Sequence, residues 1–67
     1  MNIYDGLKIG YKVILQDAAQ KSVGHLMATT AGGMAGIAAA EITDAECGRR
    51  IRILAEAYEE VKSELLS

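Results

Sequence analysis

From Val23 to Ala40 the chain runs VGHLMATTAGGMAGIAAA without a single charged side chain. Small residues recur there at every fourth position: Gly24, Ala28, Gly32, Gly36 and Ala40. Side chains this small let one helix backbone lie close against another. Read at helical spacing, the segment has two apolar faces. Val23, Leu26, Met27, Thr30, Met34 and Ile37 form a large-residue stripe. Gly24, Ala28, Ala31, Gly32, Ala35 and Ala39 form a small-residue stripe beside it. A helix apolar nearly all round is a buried helix. The large stripe is expected to meet the flanking helices, and the small one a second copy of the same segment. Each glycine weakens an isolated helix by about 1 kcal/mol. Gly32-Gly33 is therefore the point where the segment, read over 23–40, could break into two shorter helices.

The flanking segments read as amphipathic helices. Over about 3–21, Ile3, Tyr4, Leu7, Tyr11, Ile14, Leu15 and Ala18 share one stripe, with Asp5, Lys8, Lys12, Gln16 and Gln20 opposite. Ile9 and Val13 interrupt the polar side and are candidates for a second contact surface. Gly6 and Gly10 form another small-residue pair four apart. Over about 43–66, Thr43-Asp44-Ala45-Glu46 has the form of a capping box, with Ile42 and Cys47 placed as a hydrophobic staple. Cys47, Ile51, Leu54, Tyr58, Val61 and Leu65 then alternate spacings of four and three, an a/d seam. Arg49, Arg50 and Arg52 come early in this helix and Glu56, Glu59, Glu60 and Glu64 late. That order opposes the helix dipole. It suits a solvated face, or a charge layout meant for a partner.

Sixty-seven residues make one domain with a small core. Chains of this size are marginal alone and rely on disulfides, a metal, good helix packing or a partner. A lone cysteine, Cys47, excludes an intrachain disulfide. One Cys and one His fall short of the four ligands of a structural zinc site. Helix packing and oligomerisation remain, and 51% hydrophobic residues supply the surface for both. The expected fold is all-α: a small three-helix protein or long helical hairpin, intertwined as a homodimer or higher oligomer. Self-association is assigned to Gly24, Ala28, Gly32, Ala35 and Gly36 on the central ridge, and to Cys47, Ile51, Leu54, Tyr58, Val61 and Leu65 on the seam. Ile9, Val13, Arg49, Arg50, Arg52 and Ile53 are the candidate surface for a partner protein.

No residue pattern points to a reaction. His25 and Cys47 could form a pair only if the fold joined them, and a seam cysteine usually acts as a small hydrophobe. AGGMAG lacks the Lys-Ser or Lys-Thr of a phosphate loop. A net charge of −2 gives no basic excess for nucleic acid, and this also counts against a helix-turn-helix reading. The uncharged run is nearly long enough to span a membrane, but glycine, alanine, threonine and His25 make it weakly apolar and no aromatic belt flanks it. The start, MNIYDGLKIGYK, does not have the form of a signal peptide. A single unpaired cysteine fits a reducing compartment, hence the cytoplasm. The expectation is a regulatory or inhibitory protein-interaction module, not an enzyme, with no cofactor or metal. A filament subunit and a membrane-associated subunit are the alternatives.

Overall fold

A computed structural model describes residues 2–67 as three helices: α1 (Ile3–Lys21), α2 (Val23–Ala39) and α3 (Asp44–Leu66). Each start is set by a polar side chain. The Asn2 side chain accepts from the N–H groups of Tyr4 and Asp5, and the Asp5 carboxylate accepts from the Asn2 N–H. This reciprocal box satisfies donors that a helix start leaves free. Ser22 alone separates α1 from α2. Its extended backbone breaks the helix, its N–H donates to the Ala18 carbonyl, and its Oγ accepts from the His25 N–H at 2.9 Å. One serine thus ends one helix and starts the next.

At the start of α3, Thr43 Oγ1 accepts from the Glu46 N–H at 3.1 Å. The return half of the expected box is missing. Glu46 turns its carboxylate outward to Arg50 and Tyr4 instead. Ion pairing there outcompetes the cap.

α2 is one continuous helix, so the break expected at Gly32-Gly33 does not occur. Tertiary support removes it. A Cβ on Gly33 would lie 3.0 Å from Leu54 Cδ2, tighter than nearly all real contacts. Gly33 therefore lets the Leu54 side chain of α3 sit against the α2 backbone.

The core gathers Leu15 from α1, Leu26 and Ile37 from α2, and Leu54, Ala57 and Val61 from α3. Tyr11, Met34, Ile42, Cys47, Ile51 and Tyr58 pack around it. Thr30, the buried polar residue, donates its hydroxyl to the Leu26 carbonyl at 2.8 Å. Within α1 the buried side is narrower than its sequence stripe. Leu15 and Ala18 are buried, but Ile3 and Ile14 are exposed at one edge.

Leu54→Ala is expected to cost about 2–5 kcal/mol by leaving a cavity in this core. Gly33→Leu should cost about 1–3 kcal/mol by overpacking against Leu54. Urea unfolding at a fixed protein concentration measures both, and a neutral Gly33→Leu would contradict the Gly33–Leu54 contact.

Candidate interaction surface

Two ladders of four-residue spacing join α1 to α3. Lys8 reaches Glu60 and, at 3.9 Å, Glu56; Lys12 reaches Glu60 at 3.4 Å and Glu64 at 3.6 Å. Gln16 Nε2 donates to Glu64 at 3.1 Å. The pairs advance in the same direction along both helices, so α1 and α3 run parallel and α2 returns between their ends. The late acids of α3 therefore face the lysines of α1, and the apparent conflict with the helix dipole is an interhelix pairing. Exposed ion pairs contribute little singly, but a matched ladder fixes the register of the two helices.

At the other end of this interface Tyr4, Glu46, Arg49 and Arg50 form a cluster. Tyr4 donates its hydroxyl to Glu46 at 2.9 Å, Arg49 donates to the Tyr4 hydroxyl at 2.6 Å, and Arg50 Nε donates to Glu46 at 2.9 Å. The Arg49 guanidinium also lies 4.9 Å from the centre of the Tyr4 ring. The hydrogen bond from Arg50, then that from Tyr4, holds the Glu46 carboxyl below its ordinary value. Lys8, and to a lesser degree Lys12, does the same for Glu60.

These contacts redistribute the residues singled out from the sequence. Ile53, expected at the surface, is buried at 9% exposure, because α3 packs against both neighbours and buries more than its seam. Arg49 and Arg50 are engaged by Tyr4 and Glu46. Arg52 is exposed at the head of the Glu56-Glu60-Glu64 row and makes no ion pair among the described residues. Ile9 and Val13 remain exposed on α1, at 54% and 59%. The six residues do not form one patch.

The seam has gone inward as well. Cys47, Ile51, Leu54, Tyr58 and Val61 pack in the chain's own core, and Leu65 near the end is 45% exposed. The small-residue ridge has the opposite fate. Gly24, Ala28, Gly32, Ala35 and Gly36 all face solvent, with Ala31, Ala38 and Ala39 beside them. Val23 and Met27 are exposed at the N-terminal end of the same helix. α2 thus turns Leu26, Thr30, Met34 and Ile37 inward, while Val23 and Met27 of the expected large stripe stay exposed at its N-terminal end, and an uncharged face is left open.

His25 and Cys47 are not neighbours. His25 bonds Ser22 in the first turn of α2, whereas Cys47 lies against the Ile37 carbonyl near the last turn. Twelve residues of helix place these ends about 18 Å apart. Among the described residues no cluster of His, Cys, Asp and Glu could hold a metal, and no helix is long and apolar enough to cross a membrane. The depressions near Glu41–Glu46 and between Ile3, Tyr4, Leu7, Glu46 and Arg50 are open to solvent and lie over the ion cluster.

The lowered carboxyls set a pH dependence. In the folded chain Glu46 and Glu60 release their protons below the ordinary 4.5 of glutamate. Their contribution to stability is therefore present above that value and lost as pH falls through the lowered ones. The melting temperature should fall on acidification from about pH 5 to about pH 3, the range of carboxylate titration. The doubly substituted Glu46→Gln, Glu60→Gln chain should show a shallower fall. Parallel melting curves for the two proteins would contradict the role given to these carboxylates.

Compared with protein-family models, curated proteins and solved structures, the chain has no match, so a reading of its function rests on its own geometry.

Proposed function

We propose that this chain is a small homo-oligomeric protein–protein interaction module, a regulatory protein that binds and modulates another protein. The observation that carries this reading is the open face of α2. Its Gly32 and Gly36 would meet nothing within 4 Å if given a Cβ. Nothing inside the chain thus requires glycine there, yet each weakens the helix by about 1 kcal/mol relative to alanine. Gly6, Gly10 and Gly48 are open in the same way, but Gly32 and Gly36 share one uncharged face with Gly24, Ala28 and Ala35, on which a second backbone can lie close.

Surface area supports the same reading. The chain exposes 4498 Å². A folded monomer of 7.1 kDa is expected to expose about 4,100 Å². The Cα atoms span 35 × 26 × 14 Å, a thin slab with broad sides. Of the large apolar side chains left exposed, Ile3, Ile9, Val13 and Ile14 lie on α1 and Val23 and Met27 on α2. The α2 face serves self-association, and Ile9 and Val13 serve the regulated protein. A lone half-buried cysteine suits work in the cytoplasm. Two separate apolar areas also permit contacts that propagate into a filament rather than close.

Gly32→Leu and Gly36→Leu separate the face from the fold. Both positions are open within the chain, so helix content by circular dichroism should hold or rise. Light scattering coupled to size exclusion should show a wild-type mass that is a multiple of 7.1 kDa, and monomers for both variants. A wild-type monomer at micromolar concentration would contradict self-association, and long polymers in negative-stain images would favour the filament.

A further inference from the structure

The side of α3 turned away from the bundle carries its charge in order. Arg49 and Arg52 stand exposed on its first half, Glu56 and Glu59 on its second. Contacts inside the chain account for only part of this. The ladder to α1 holds Glu60 and Glu64, and Tyr4 and Glu46 hold Arg49 and Arg50. Arg52 makes no ion pair among the described residues, and Glu59, its side chain 64% exposed, is met only by its neighbour Lys62. We infer that this ridge is covered by the same ridge of a second copy, antiparallel across a two-fold axis between Ala55 and Glu56, with each Arg52 on the partner's Glu59. The contact is separate from the one proposed for α2 and does not depend on it.

A two-fold contact brings one surface against itself. In a parallel pair arginine would meet arginine and glutamate would meet glutamate. Reversing one helix sets cation against anion at both ends of the ridge. It also sets each helix N-terminus beside the partner's C-terminus, where the dipoles attract. Counted from the midpoint, Arg52 comes level with the partner's Glu59, Gly48 with the partner's Ser63 and Ala45 with the partner's Leu66. Small residues thus fall where two backbones approach. A Cβ on Gly48 would meet nothing within 4 Å, so that space is open, and Leu66, 81% exposed, gains an apolar neighbour. Arg49 comes level with the partner's Lys62, but at 100° per residue the two positions lie about 140° apart around the helix. They flank the ridge on opposite sides and do not meet. Exposed ion pairs contribute little singly and are screened by salt, so the contact is weak and salt-sensitive.

Nuclear magnetic resonance on mixed chains tests this. One Cys47→Ala chain is isotope-labelled; the other carries a nitroxide on Ser63→Cys. Paramagnetic broadening in the labelled chain then reports contacts between chains only. At millimolar concentration and low salt the signal loss should be largest at Gly48 and Ala45. Ser63 lies about 22 Å along the axis from its copy, fifteen residues at 1.5 Å each, and its signal should persist. The broadening should vanish at 1 M salt, where the screening length is about 3 Å. Arg52→Glu in both chains should remove it, and the double reversal Arg52→Glu, Glu59→Arg should restore it. Gly36→Leu, which disrupts the proposed α2 contact, should leave it intact. Circular dichroism checks that every variant folds.

Broadening centred on Ser63 means a parallel pair and overturns the inference. Broadening on other helices alone, or none, overturns it too, as does a signal loss that survives Arg52→Glu or is not restored by the double reversal. Loss of the effect in Gly36→Leu makes the contact a by-product of α2 and overturns it as well. The expected broadening in a chain whose α2 does not self-associate would leave this inference standing and remove the α2 contact.

Discussion

Leu54 of α3 lies close against the α2 backbone at Gly33, where an added Cβ would come within 3.0 Å of its Cδ2, and the core gathers around that leucine. Leu54 is 3% exposed and lies at the middle of the α3 seam. Seating it on α2 turns the seam inward and spends it on the chain's own core. It also fixes which way α2 faces: Leu26, Thr30, Gly33 and Ile37 look in, and the row from Gly24 to Ala39 looks out. An isolated α2, with its four glycines, would be a weak helix. Held against Leu54 it is continuous from Val23 to Ala39.

Polar contacts then choose among the ways three such helices could pack. Ser22 leaves almost no slack between α1 and α2, so the chain must reverse there. The lysines of α1 and the glutamates of α3 pair in ascending order, Lys8 with Glu56 and Glu60 and Lys12 with Glu60 and Glu64, as parallel helices require. Tyr4 ties the start of α1 to Glu46 and Arg49 at the start of α3. Apolar burial provides most of the stabilisation in such a bundle, while these contacts set its register. The order of charge along α3, unfavourable for a lone helix, becomes useful once α1 lies alongside.

Much of this was legible in the residues. The bounds of α1 and the start of α3 follow from periodicity and Thr43, and the two-faced character of α2 follows from the spacing of its large and small side chains. What misled was the assumption that features read separately stay separate. The seam of α3 looks like an oligomer seam until α2 is known to lie on it. Ile53 looks exposed until α3 has two neighbours. Gly33 looks like a break until Leu54 is seen to pack against it. The paired ladders Lys8-Lys12-Gln16 and Glu56-Glu60-Glu64 were visible as spacings and could have been matched. Nothing in the sequence says which of several apolar faces closes first, because that depends on how the helices compete for one small core.

With most of the seam and of the large stripe buried, the exposed apolar surface lies on α2, along α1 and at the end of α3, and the central claim is that α2 meets a second α2. A mixed sample, half isotope-labelled and half not, measured by isotope-filtered nuclear Overhauser spectroscopy, tests this directly. The account predicts cross-chain signals among the methyl groups of Ala28, Ala31 and Ala35. Cross-chain signals confined to α1 or α3, or none in a sample whose mass is that of a monomer, would contradict it.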